Sequence, residues 1–148
     1  MRFHFRFETV LRQREIERDI AQREYLEAQN RVRMQLSKIK KMYEQIDEAR
    51  LEAEKLERAG GRHVSALVQT EEFILGQKIR VQSERQIVRE FMADAEQKHE
   101  VLIEKMQAFK VLEKLKEKRR EEFRKERNQR IAKEMDDLTI MRASGAKG

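Results

Sequence analysis

Apolar residues in the first half of the chain repeat with alternating spacings of four and three residues. The repeat starts at Ala21 and continues to Leu56, about five heptads, with Gln35 as its only polar member. Such a repeat is typical of a helix that buries one narrow stripe, here called a seam, against another helix. The members of this first seam are Ala21, Tyr25, Ala28, Val32, Gln35, Ile39, Met42, Ile46, Ala49, Ala53 and Leu56.

A second apolar series has a strict seven-residue period. Its members are Leu67, Ile74, Val81, Val88, Ala95, Leu102 and Phe109. In the last three heptads we expect a companion row formed by Met92, His99 and Met106. The equivalent earlier positions are charged: Glu71, Lys78 and Arg85. The second seam is therefore expected to be one-sided near its start and two-sided later.

Gly60-Gly61, the only paired glycine, lies between the two seams. Glycine readily adopts the left-handed backbone conformation that ends many helices. We therefore predict one helix over about 8–58, a turn over about 59–65 and a second helix over about 66–141. The chain has no proline, which fits helices of this length because proline interrupts a helix interior.

Folding back at the glycine pair is the simplest way to bury both seams. The expected fold class is therefore all-α: an antiparallel two-helix coiled-coil hairpin with a longer, projecting C-terminal helix. We expect residues 1–148 to form one coiled-coil domain. Two separate helices in a dimer or higher oligomer are the alternative. In the hairpin, Ile39 is expected opposite roughly residues 81–88.

The C-terminal part of the second helix is predicted to lack a partner. Reversal near the glycine pair places Thr9 opposite roughly residue 115, and the seven-residue series ends because Phe109 is followed by Lys116. Both observations predict an unpaired extension after about Leu115. Residues 114–133 carry ten Lys or Arg and four Glu, an excess that equals the net charge of +6 of the whole chain.

Three interpretations of this basic segment stay open. It is a solvated helix held by its own charge pairs, a docking surface for an acidic protein, or a nucleic-acid contact. The four interleaved glutamates argue against nucleic acid, because they would face phosphates. A drifting apolar row among the charges suggests a partner groove. Its members are Leu115, Phe123, Ile131, Met135 and Leu138.

Nothing in the sequence indicates catalysis. The chain has no cysteine and three histidines, His4, His63 and His99, without metal-ligand spacing or a phosphate-binding glycine loop. We expect no enzymatic activity, no metal and no cofactor. The start lacks the apolar run of a signal peptide, and no window reaches the apolar length of a membrane span. The expected location is the cytoplasm, without membrane insertion.

Motifs at both ends resemble the flagellar export chaperone FliJ family. The first motif is Phe3-x-Phe5-x-Phe7-Glu8-x-Val10-Leu11-x-x-Arg14-Glu15-x-Glu17. The second is Leu112-Glu113-Lys114-Leu115-Lys116-Glu117-Lys118-Arg119, followed by Glu134-x-Asp136-Asp137-Leu138. The family often has Asp-Glu where this chain has Asp136-Asp137. The resemblance covers essentially the full length, and the two terminal motifs carry most of it.

The resemblance implies a non-enzymatic component of the flagellar type III export apparatus, a determinant of motility. Such proteins are similar to the central stalk of rotary ATPases. They are cytoplasmic and peripherally associated with the inner membrane at the flagellar base. They bind the export ATPase ring through the end where the termini meet. They also bind the cytoplasmic domain of the export gate, and some bind export chaperones. No nucleic acid is expected. A stalk of a virulence type III system and a nucleic-acid-binding basic coiled coil are the alternatives.

Two sets of candidate docking residues follow. For the ATPase ring we predict six cations of the basic segment: Arg119, Arg120, Arg124, Lys125, Arg127 and Arg130. For the export gate we predict four apolar residues that the seams do not need: Leu36, Tyr43, Phe73 and Leu75. The alternative for these four is that they only widen the seam.

Overall fold

A computed structural model describes residues 2–146, which form two long α-helices. Helix α1 covers Glu8–Arg58 and helix α2 covers Val64–Ala146. The two helices pack against each other, and residues 2–146 contain no strand. The predicted all-α helical hairpin with a longer second helix is therefore confirmed. The ends of the predicted domain, Met1 and residues 147–148, lie outside the described residues.

The turn between the helices is built around a glycine. Helix α1 ends at Arg58, and Gly60 has a φ of 85°, the only positive φ among the described residues. A side chain at this position would be strained, which explains why glycine stands here. A single 3-10 turn, Gly61–His63, leads directly into α2.

The hairpin divides into two compact units. Unit 2 is the continuous stretch Ile20–Ile103, which includes the turn. Unit 1 combines Met1–Asp19 with Glu104–Gly148. Each unit contains a part of both helices, and each is described by itself below.

The first seam forms the α1 side of the core of unit 2. Every one of its members from Ala21 to Leu56 is buried or half-buried. Ile39 and Ile46 of α1 pack with Val81 and Val88 of α2 in one apolar cluster. The expected placement of Ile39 opposite residues 81–88 is confirmed. Burial of such side chains contributes about 1.5–3 kcal/mol each, so this cluster stabilises the pairing of the helices.

The companion row of the second seam lies one residue earlier than predicted at two of its three predicted positions, and of the predicted members only Met106 is half-buried. Met92 and His99 are exposed, whereas Phe91 and Lys98 are half-buried. The prediction was wrong here because the covered positions are largely polar, and an apolar pattern does not detect them. They are Thr70, Gln77, Glu84, Phe91, Lys98, Lys105 and Leu112, all buried or half-buried.

Polar contacts across the helices explain why charged residues lie in this row. Gln77 donates to the side-chain oxygen of Gln45 at 2.6 Å. The ammonium of Lys98 lies 4.0 Å from the carboxylate of Glu24. Buried polar groups are tolerated when they find such partners. The α2 side of the interface is therefore apolar on one row and mainly polar on the other.

Unit 1 is held by a short stretch of α1 and by the segment before it. Phe5 and Leu11 are buried, with 5% and 7% of their surfaces exposed. The guanidinium of Arg18 lies 4.3 Å from the ring centroid of Phe109, where it covers the last member of the second seam. Every residue from 124 to 145 is exposed.

Candidate protein-binding surfaces

Residues 2–7, here called the N-terminal segment, pack along α2 of unit 1. The segment precedes α1, and the ring of Phe3 lies 5.6 Å from the ring of Phe123, with centroids as reference points. The guanidinium of Arg120 lies 5.7 Å from the Phe3 ring centroid. Phe123 is half-buried as a result.

This contact corrects the predicted start of the unpaired extension. Glu8 and Lys116 form an ion pair at 2.9 Å, which matches the predicted level of Thr9 and residue 115. Non-helical chain advances up to about 3.3 Å per residue, against 1.5 Å for a helix. The few residues before Glu8 therefore reach Phe123, and the extension begins after Phe123 instead of Leu115.

Two ion pairs join the helices of unit 1. Lys105 lies 3.4 Å from the carboxylate of Glu17, in addition to the Glu8–Lys116 pair. The hydrogen bond from Lys116 holds the pKa of the Glu8 carboxyl below its ordinary value. Hydrogen bonds from Gln13 and then Lys105 do the same for the pKa of Glu17. Both carboxylates are therefore stabilised in their charged forms in the folded chain, Glu8 mainly by Lys116 of α2, and Glu17 by Gln13 of its own helix and by Lys105 of α2.

The six predicted ATPase-docking cations are all exposed in unit 1, but their surroundings differ. Arg119 and Arg120 lie beside the N-terminal segment: Arg119 lines a shallow groove with Phe3 and Phe123, and Arg120 contacts the ring of Phe3. Arg124 pairs with Glu121 of its own helix at 2.7 Å. Lys125, Arg127 and Arg130 lie on the extension beyond Phe123. The set therefore spans two environments, one beside the N-terminal segment and one beyond it on the extension.

Leu36 and Tyr43, two of the predicted gate-docking residues, line one groove in unit 2. The groove has a volume of about 410 Å³, and its floor contains the seam residues Ile39 and Val88. Arg85 and Arg89 of α2 form its opposite rim. Leu36 and Tyr43 remain 47% and 44% exposed, so both can contact another protein.

Phe73 and Leu75 do not share that groove. They stand on either side of the seam residue Ile74, so successive helical rotations of about 100° point them to opposite flanks of α2. Phe73 is 40% exposed and contacts the guanidinium of Arg80, 5.9 Å from its ring centroid. The four predicted gate-docking residues therefore do not form one continuous surface.

A neighbouring groove in unit 2 was missed from the sequence. It has a volume of about 550 Å³ and is lined mainly by apolar side chains, with Leu36 shared between both grooves. Tyr25 and His99 both line it, with ring centroids 4.9 Å apart. The groove was missed because the companion row is displaced: His99 was expected inside the seam and instead lies beside it.

Other kinds of site have no support within residues 2–146. No described helix is long and apolar enough to cross a membrane. No group of three or more His, Asp or Glu side chains in that range is arranged to hold a metal ion. What the described residues offer is open grooves and charged helix faces, which suit contacts with other proteins.

These features define the class: a helical-hairpin coiled coil with exposed grooves and a basic helical end. A family model described as "Flagellar FliJ protein" matches residues 3–148, essentially the whole chain, and the chain belongs to the FliJ family. It is therefore a component of the flagellar export apparatus, in a family of non-enzymatic, chaperone-like components. No curated protein and no solved structure matches the chain significantly.

Proposed function

We propose that the chain is a stalk-like export chaperone that links the export ATPase ring to the cytoplasmic domain of the export gate. The family membership supports the setting. The observation that carries the proposal is that the two candidate surfaces fall in different compact units, the cations in unit 1 and the Leu36–Tyr43 groove in unit 2. Each contact can therefore be lost by substitution without the other.

The ATPase ring docks on the cations of unit 1 in this proposal. Exposed cations on a single helix can meet acidic side chains from several directions, and electrostatic complementarity favours fast and specific association. Arg120 contacts the Phe3 ring of the N-terminal segment and Arg119 lines the adjoining groove, so both side chains lose less conformational freedom on binding. Arg124, Lys125, Arg127 and Arg130 extend the same charge beyond it.

The export gate docks on the groove that Leu36 and Tyr43 line. An exposed aromatic side chain above an apolar floor is the kind of anchor that dominates protein interfaces. Arg85 and Arg89 on the rim favour a gate segment with acidic residues. The family resemblance adds export chaperones as further partners. It also places the chain in the cytoplasm, peripherally associated with the inner membrane at the flagellar base.

A charge-reversal experiment tests the ATPase contact. The variant Arg124→Glu/Lys125→Glu/Arg127→Glu should lose binding to the immobilised export ATPase at moderate salt, with unchanged helicity by circular dichroism. Three substitutions are needed because single exposed pairs contribute only about 0–1 kcal/mol. Arg23→Glu/Lys41→Glu/Arg58→Glu, at exposed positions of α1 in unit 2, is the matched control with the same change in net charge. Equal binding by both variants would rule out electrostatic docking at this site.

A further inference from the structure

The extension of α2 presents an apolar row that nothing in residues 2–146 covers. Ile131, Met135, Leu138 and Met141 follow one another at spacings of four, three and three residues, so they lie on one side of the helix. Their exposed fractions are between 50% and 70%. Continuous exposed apolar rows on a helix are typical of surfaces that pack against another helix.

Charge is segregated along the same stretch. Residues 124–133 contain five cations and one anion, whereas residues 134–141 contain three anions, Glu134, Asp136 and Asp137, and no cation. The apolar row is concentrated in the acidic half, and the long arginine side chains are concentrated in the basic half. The basic half therefore supplies cations with long side chains, and the acidic half supplies carboxylates and most of the apolar row.

We propose that the extension packs antiparallel against the extension of a second copy of this chain. With the two-fold axis near Ala132 and Lys133, Arg127 of one copy lies level with Leu138 of the other, next to Asp137. The aliphatic part of the arginine covers the leucine, and its guanidinium meets the carboxylate. The overlap from Phe123 to about Met141 is some 27 Å long at 1.5 Å per residue.

The antiparallel arrangement follows from the order of the charges. A parallel pair would place the five cations of residues 124–133 beside their own copies, and the three anions beside theirs. Like charges at such separations repel, whereas the antiparallel pair places the largely basic residues 124–131 of one copy level with the acidic residues 134–141 of the other. A short two-helix contact of this kind is weak, so we expect a dissociation constant on the order of micromolar.

The dimer does not depend on the proposed function, but one consequence connects the two. Four of the six predicted ATPase-docking cations lie within the overlap: Arg124, Lys125, Arg127 and Arg130. Formation of the dimer covers the side of the helix that carries Arg127, so binding to an acidic partner on that side would compete with self-association. Measurements on the purified chain alone test the dimer, and they are independent of any result with the ATPase.

Sedimentation equilibrium over a range of protein concentrations tests the proposal. We expect a monomer–dimer equilibrium that weakens at least about tenfold in Arg127→Glu and in Asp137→Arg. In the double variant Arg127→Glu/Asp137→Arg the dissociation constant should return to within about threefold of the original value. An antiparallel dimer contains two symmetry-related Arg127–Asp137 pairs, and the double variant swaps the charges in both, so each pair again joins opposite charges. Leu138→Asp should abolish dimerisation. All these positions are exposed, so the variants should keep the helicity of the monomer.

Lys125→Glu is the control, because it makes the same charge change as Arg127→Glu on the opposite face of the helix. It should leave the dissociation constant unchanged. A chain that stays monomeric at all concentrations overturns the proposal. So does a dimer that Arg127→Glu and Lys125→Glu weaken equally, or one that the double variant does not restore. Normal ATPase binding by a strictly monomeric chain would separate failure of this inference from failure of the proposed function.

Discussion

Gln35 donates its side-chain amide to Glu84 across the interface between α1 and α2. It reaches both the carboxylate and the backbone carbonyl, the latter at 3.2 Å. Gln35 is 9% exposed and is the only polar member of the first seam. Lys38 completes the site at 2.9 Å from the Glu84 carboxylate. One polar residue in an apolar seam commonly fixes the register of a coiled coil, and this pair can do so in unit 2.

Replacing Gln35 with Leu should stabilise the chain but loosen the pairing of its helices. Burying an apolar side chain in place of an amide is expected to add about 1 kcal/mol to the free energy of unfolding. Urea denaturation measures that change. Spin labels at the exposed positions 40 and 82 should give one narrow distance distribution in the parent and a broader one in Gln35→Leu. An equally narrow distribution in the variant would show that the register is fixed elsewhere.

Stability should fall in acid because three interface carboxylates have lowered pKa values. Hydrogen bonds from Lys38 and then Gln35 lower the pKa of Glu84. Hydrogen bonds also lower the pKa of Glu8 and the pKa of Glu17. A carboxylate with a lowered folded-state pKa stabilises the fold above its ordinary value of 4.5. That contribution is lost as the pH falls below this value and through the lowered pKa.

The urea midpoint measured from pH 7 to pH 3 tests this. Glu8→Gln/Glu17→Gln/Glu84→Gln should be less stable at pH 7 and should show a flatter decline than the parent. The control is Glu52→Gln/Glu57→Gln/Glu71→Gln, at exposed positions away from these pairs. If the parent and the first variant decline with the same slope, the interface carboxylates do not control acid stability.

The first seam was predictable because its members are apolar and regularly spaced, and every one of them is covered. The companion row of α2 was not predictable from apolar spacing, because two of its members are lysines. Lys98 and Lys105 are accommodated there by ion pairs with Glu24 and Glu17 of α1. Pairing across the helices depends on their register, which a single sequence does not reveal. The charge pattern does indicate this pairing, because the seven-residue spacing of the two lysines matches that of the two glutamates.

The candidate sites were predictable to a similar extent. The exposure of Leu36 and Tyr43 follows from their position beside the seam. The separation of Phe73 from that groove follows from the helical rotation between neighbouring residues, which the sequence interpretation did not use. Contact between Phe3 and Phe123 joins residues 120 positions apart. The alternating Phe3-x-Phe5-x-Phe7 pattern is its only signal, because it favours an extended segment with one apolar side.

The N-terminal segment should be released by a single substitution at Phe5. Its side chain is 5% exposed, and truncation of a buried Phe to Ala commonly costs about 3–5 kcal/mol, enough to undock a short segment. Limited trypsin digestion should then cleave after Arg6 much faster in Phe5→Ala than in the parent. Phe7→Ala is the matched control, since Phe7 is 37% exposed. Equal cleavage of the two variants would show that Phe5 does not anchor the segment.

Gate binding should depend on Tyr43 more than on Phe73. Tyr43 lines the Leu36 groove, whereas Phe73 lies on the other flank of α2. An aromatic anchor of about 2 kcal/mol corresponds to a loss of roughly thirtyfold in affinity for Tyr43→Ala. Titration with the isolated gate domain measures both variants, and their melting temperatures should stay close to that of the parent. A larger loss in Phe73→Ala would move the site to the opposite flank.

The account's central claim is that one chain bridges two components of the export apparatus. The most direct measurement is capture of the gate cytoplasmic domain on immobilised export ATPase, with and without this chain. We predict capture only when the chain is present. Arg124→Glu/Lys125→Glu/Arg127→Glu should abolish it by losing the ATPase, and Tyr43→Ala should reduce it while the chain itself stays bound. If the gate domain displaces the chain from the ATPase instead of joining it, the two contacts exclude each other and the bridging function is contradicted.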